Sequence, residues 1–303
     1  MHDPRYNDDA RERENGSRDL GRGGRAGADT RERERVEPRD VFAGHVDLPR
    51  GREREHVWVH DHCHTLRGSE SRTLASVGAF RVIPADDLRD TFDKPLDPRH
   101  GELWHLREAG LVQTVRIGRD ISAVTLTKEG RDLLEGHRRD HGAGHQAFNH
   151  GVQRPRELKH DAAVYRAYLE EAERLHEAGA EIHRIVLENE LKAEFQTFLQ
   201  EPNRDREDGD GRPDRSPLEV EAWAHEHNLP CDAHGHVQFP DVRIEYEIDG
   251  RDQTLDVEVM TPHYRGAHAA GKVSSGFSLH FTGRGGGSGR SGSRSRGPAE
   301  DFL

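Results

Sequence analysis

The residues that could do the most chemistry lie between Phe239 and Phe281. Asp241 follows Pro240 and starts an alternating run, Val242, Ile244, Tyr246 and Ile248, which reads as a half-buried strand. Asp249-Gly250 reads as a hairpin turn, and on the return run Asp256 and Glu258 share one face while Leu255, Val257 and Val259 share the other. Carboxylates on rigid strands suit a hard cation such as Mg²⁺, which steadies charge on the attacking and leaving oxygens of a phosphate. An ordinary antiparallel sheet, polar at every second residue, gives the same pattern. A second group is His60, His62 and His64 at a spacing of two; on one strand the three imidazoles share a face and could suit a metal. A solvent-facing strand fits equally in a chain with 22 histidines. Cys231, His234 and His236 offer three donors without a fourth. The Asp208-Gly209-Asp210-Gly211 loop fails as a calcium loop. With Gly211 at the sixth position the first and last ligands would be Arg206 and Pro217, and with Gly209 there they would be Arg204 and Arg215.

Other elements must carry these groups. Leu103, Leu106 and Ala109 have helical spacing that stops at Gly110, Leu111 to Ile117 alternates, Gly118-Arg119-Asp120 turns, and Ile121 to Leu126 alternates again. Thr127 then reads as an N-cap for a helix with Leu133 and Leu134 on its apolar face. Upstream, Leu74, Val77 and Phe80 mark one helix, Pro84 starts a second, and Pro98 to Ala109 is the third. Downstream, His160-Asp161 opens an amphipathic helix through Val164, Tyr165, Tyr168, Leu169, Ala172 and Leu175, closed by Gly179. A strand at Ile182–Leu187, helices at Asn189–Gln200 and Leu218–His227, a helix at Tyr264–Gly276 carrying Lys272, and a last strand at Phe277–Phe281 follow.

The run of helix, Gly110-Leu111, two-stranded ribbon, Leu126-Thr127-Lys128-Glu129-Gly130 and helix resembles winged helix-turn-helix DNA-binding proteins. That resemblance implies a third helix in the major groove and a ribbon against the backbone of double-stranded DNA. It makes Arg99, His100, His105 and Arg107 on the helix, and Arg116 and Arg119 on the ribbon, the candidate contacts. Pro-Asp, hairpin, Asp-x-Glu, helix and strand resemble the core of the PD-(D/E)XK nuclease superfamily. This implies Asp241 and Asp256 as Mg²⁺ ligands, Glu258 in place of the family's lysine, Lys272 as a migrated lysine, and Glu190 as the extra acid that some members carry. Taken together, the winged helix, His160-Asp161 and the Pro-Asp strand resemble the replication-relaxation family of plasmid and other mobile-element proteins, over residues 66 to 282. The resemblance implies DNA binding during replication, relaxation or mobilisation, an inactive nuclease-like domain, and a relaxase or replication protein as partner. A Mg²⁺-dependent endonuclease or nickase, and a winged-helix transcription regulator, are the rival readings.

The expected fold class is α+β: a winged helix-turn-helix domain (43–140), a linker (141–159), and an α/β domain with a small mixed, restriction-endonuclease-like sheet (160–282). A charged tail (1–42) and a Gly/Ser/Arg-rich tail (283–303) are expected to be disordered. Of 303 residues, 32% are hydrophobic and 34% charged, which fits ordered islands between solvated segments. The net charge of −12 is unevenly spread: residues 67–140 hold 13 Lys+Arg and 13 Asp+Glu, whereas 157–258 hold 11 and 27. The acidity therefore belongs to the second half and leaves the ribbon region able to hold a basic face. No apolar run approaches the ~18 residues of a membrane span, and Cys63 and Cys231 make no disulfide framework; the cytoplasm is the expected compartment.

Overall fold

A computed structural model describes residues 37–90, 92–117, 121–139, 145–152, 154–203, 215–260 and 276–282. It begins with a 3-10 helix at Val41–His45, then the hairpin of β1 (Glu55–Val59) and β2 (His62–Leu66). Helix α1 (Gly68–Ala79), strand β3 (Ile83–Pro84), helix α2 (Gly101–Glu108), strands β4 (Val112–Arg116) and β5 (Ser122–Leu126), and helix α3 (Lys128–Gly136) follow. The second half runs through α4 (Leu158–Glu177), β6 (Glu181–Leu187), α5 (Glu188–Gln200), α6 (Pro217–Glu226), β7 (Val242–Ile248), β8 (Arg251–Met260) and β9 (Ser278–Phe281). Beside the β1–β2 ribbon there is a three-stranded antiparallel sheet in the order β3-β5-β4. The four-stranded sheet, β6-β7-β8-β9, is mixed, because β9 runs parallel to β8. The result is α+β with small sheets. No helix among the described residues is long and apolar enough to cross a membrane.

Local signals hold where backbone chemistry is specific. The Thr127 side chain accepts a hydrogen bond from the Gly130 amide, the N-cap that starts α3. Gly130 itself permits a close approach: a Cβ there would stand 2.0 Å from the carbonyl oxygen of Leu111. Asp249 and Gly250 have φ of 53° and 73°, the two positive values that a tight turn between β7 and β8 requires. Gly179, also at positive φ, ends α4.

Three expectations change. The second helix, expected from Pro84, is a single 3-10 turn at Ala85–Asp87. The Asp90 carboxylate takes the amides of Phe92 and Lys94, so the chain closes a local turn instead of continuing as helix. The expected linker is also tied into both halves. Gln146, fully buried, exchanges two hydrogen bonds with the Ile185 backbone, Asn149 N donates to Gly78 O, and Gly151 N donates to Leu126 O. Residues 37–42, placed in the charged tail, are packed as well: Phe42 is wholly buried, and Pro38 O accepts the Tyr168 hydroxyl at 2.8 Å. The turn at 118–120, nearly all of the expected helix 264–276, and the rest of both tails lie outside the described residues.

Helix α4 joins the halves. Tyr165 and Tyr168 meet Phe80 at ring-centroid distances of 4.9 and 5.1 Å, and Phe42 lies 5.6 Å from both Phe80 and Tyr168. Val164 and Ala172 belong to the same apolar cluster as Ile185, Ile244, Val257 and Val259 of the mixed sheet. One continuous core therefore runs from Val41 to Val259. Tyr168→Ala is expected to cost about 3–5 kcal/mol, in the range of other large-to-small aromatic core changes. Urea unfolding followed by both far-UV dichroism and tryptophan fluorescence should give one coincident transition, lowered in the variant. Two separated transitions would show that the halves do not share a core.

Candidate functional site

Helix α2 starts at Gly101 rather than at Pro98, so of the residues expected to face DNA Arg99 and His100 precede it, while His105 and Arg107 lie on it and Arg116 ends β4. Arg99, His100 and Arg116 are exposed, and Trp104 is 43% exposed on α2. Arg99 gives its amide to Asp97, whose other oxygen lies 3.3 Å from His100 Nδ1. His105 and Arg107 turn toward the protein. His105 Nδ1 lies 3.1 Å from Glu70 Oε1, and Arg107 donates to Pro98 O and to Glu108. Glu70 is fully buried and also receives Arg54, through Nε and Nη2, and the Arg67 amide. Arg67 binds Glu102, so each glutamate of α2 has an arginine partner. Arg119 lies outside the described residues.

The acidic residues of the second half divide into separate groups. Asp241, at the start of β7, accepts His160 Nε2 at 2.8 Å on one oxygen and the Val259 amide at 2.7 Å on the other. Burial opposes charge on His160. The hydrogen bond and charge of Asp241, with Asp161 and Glu258 adding to them, nonetheless hold its pKa above the ordinary value. Burial raises Asp161, against the pull of Arg81 at 3.4 Å and of His160. The buried Glu258 belongs to this neighbourhood. Asp256 does not: the neighbouring strand's Arg243 holds both its oxygens, at 2.7 and 2.9 Å, and donates further to the carbonyls of His227 and Asn228. Arg243 was legible in the sequence. A two-residue turn at Asp249-Gly250 pairs Ile248 with Arg251 and, counting back, Arg243 with Asp256.

Glu190 stands apart from both groups, at the start of α5, where its Oε1 accepts the Leu187 amide. It lines an open groove of about 630 Å³ together with Arg184, Glu194, Arg243 and Glu245. Burial drives its pKa up to about 7, against the Leu187 hydrogen bond and the charge of Arg184. Lys272 lies outside the described residues.

Among the described residues, two sets of three His, Cys, Asp or Glu side chains bring their ligand atoms within 4.8 Å of one another. They are His62, His64 and Glu129, and His183, Glu247 and Asp252; neither contains Asp241, Asp256 or Glu258. Of the three histidines read as one face, His60 sits in the ribbon turn at φ 49°, while His62 and His64 share the inner face of β2. Their partner Glu129, from α3, carries no signal in the sequence beyond its place in the first helical turn. Cys231 pairs through a β-bridge with Val237, and Asp232 takes the amides of His234 and His236, so this turn is closed by its own backbone.

The raised pKa of Glu190 predicts a pH dependence. Its folded value lies above its unfolded value, so its favourable contribution is complete below about 4.5 and is lost as pH rises through about 7. Between pH 5 and 8 the native protein should lose up to about 3 kcal/mol that Glu190→Gln does not lose, measured as urea midpoints at both values. Equal pH slopes in the two proteins would show that Glu190 ionises normally. No family model, curated protein or solved structure matches this chain.

Proposed function

We propose that this protein binds double-stranded DNA, with α2 and the β4–β5 ribbon against the duplex and residues 158–282 as a supporting body without cleavage activity. The observation that carries this reading is the connectivity: α1, β3, α2, β4, β5, α3, with the first strand beside the third in the order β3-β5-β4. This order supports a winged-helix reading, in which the helix before the ribbon enters the major groove. Arg99, His100 and Arg116 are exposed to meet phosphates, and the arginine partners of Glu102 and Glu108 offset the acids that would repel them. The one-turn second helix is the main departure from that fold. Arg243 occupies both oxygens of Asp256, which supports a second half that does not hold Mg²⁺ on Asp241 and Asp256. The resemblance to replication-relaxation proteins extends the proposal to replication, relaxation or mobilisation of mobile-element DNA, with a relaxase or replication protein as partner.

Fluorescence anisotropy of the full chain with labelled duplex should show binding that weakens as salt rises. Arg99→Ala and Arg116→Ala should each lower the slope of log K against log salt by about 0.9, one phosphate contact apiece. Supercoiled plasmid incubated with the protein and Mg²⁺ should stay intact. Absence of any complex at low ionic strength ends the DNA reading. Nicking that disappears in Asp241→Asn would turn the second half into an enzyme.

A further inference from the structure

We infer that His62, His64 and Glu129 form a binding site for one divalent transition-metal ion of the Zn²⁺ class, which pins the β1–β2 ribbon to the start of α3. His62 Nδ1 and His64 Nε2 both point at the same oxygen of Glu129, at 2.7 and 2.8 Å. The register explains the convergence. His62 lies opposite Val59 and His64 opposite Val57, so both imidazoles fall on the ribbon face that buries Val57, Val59 and Leu66. That face packs on α3, whose first turn presents Glu129. His137, just past the other end of α3, donates from Nε2 to Trp58 O at 2.9 Å and fixes the ribbon at a second point.

Two imidazole nitrogens and one carboxylate oxygen are a donor set that zinc uses in three-ligand sites, with the fourth position left to water or another ligand. Bonds of about 2.0–2.2 Å in tetrahedral geometry place ligand atoms roughly 3.4 Å apart. The separations of the two imidazole nitrogens from the Glu129 oxygen need to open by little more than half an ångström. Exposure is graded across the set: the side chain of His64 is 10% exposed, that of Glu129 32% and that of His62 69%. The inner ligands are therefore positioned by packing, and the outer one leaves the fourth position facing solvent. Imidazole with carboxylate favours Zn²⁺, Ni²⁺ or Fe²⁺ over Ca²⁺ and Mg²⁺, which prefer all-oxygen sites. Cys63 is excluded by its side of the strand: it lies opposite Trp58 on the outer face, its sulfur 3.3 Å from His56 Nδ1.

A metal here closes a loop of 65 residues between His64 and Glu129, the segment that contains α1, β3, α2, β4 and β5. Clips across long loops remove the most freedom from the unfolded chain. The site stands on its own geometry and is independent of DNA binding.

The test uses the full chain, stripped with a chelator and titrated with Zn²⁺ in competition with a chromophoric chelator. We expect one tight site, a Zn²⁺-dependent rise in Tm, and a Co²⁺ form whose ligand-field bands lack thiolate charge transfer. His64→Ala and Glu129→Gln should each weaken that site by more than about 100-fold, beyond what changes outside the ligand set cost. His62→Ala, on an exposed side chain that folding does not need, should do the same, while His60→Ala and Cys63→Ser leave it unchanged. Zn²⁺ affinity equal to the native protein's in His62→Ala and Glu129→Gln would overturn the assignment, with binding then due to others of the 22 histidines. A thiolate band abolished by Cys63→Ser would overturn it as well.

Discussion

The structure depends on the burial of α4 against two different surfaces. Tyr165 and Tyr168 face Phe42 and Phe80 on one side, and Val164 and Ala172 face the mixed sheet on the other. A helix covered on one face alone would leave two small cores, each marginal in a chain with so few hydrophobic residues. Sharing the helix lets one core serve both halves. The segment at 37–45 and the crossing at 145–151 follow from this, since each covers an opening between the halves. Gly78 makes room for the crossing: Phe148 packs where a Cβ on that glycine would stand, 2.9 Å from its ring.

Charge is the second constraint. A carboxylate taken out of water is costly unless it is paired, and the acids drawn into this fold illustrate it. Glu70 has Arg54 and the Arg67 amide, Asp256 has Arg243, and Asp241 has His160 and the Val259 amide. Burial alone would raise Glu171, yet His280, Ser278 and Arg174 hold it at about 2 and moor the edge strand β9 to α4. These pairs account for much of the acidic pattern that in the sequence resembles a metal-dependent active site. The cation that answers Asp256 comes from the protein itself. One of the two sets whose ligand atoms do converge lies elsewhere, where His62 and His64 meet Glu129.

Read as a string of residues, the chain determined those features whose cause is local. Turn chemistry placed the β7–β8 hairpin at Asp249-Gly250, the Thr127 cap placed α3, and helical periodicity placed α1 and α4, because each depends on backbone groups within a few residues. Even the Arg243–Asp256 pair could be counted from the turn, since antiparallel register follows from it. Only the tertiary structure decided which distant groups meet. It set Glu129 against a ribbon more than sixty residues away, His160 against Asp241, and His105 against Glu70 rather than solvent. It also shortened the second helix to one turn and drew the linker into the core. The reason is physical: a side chain's partner across the fold is chosen by how apolar faces pack, and spacing along the chain carries no record of that choice.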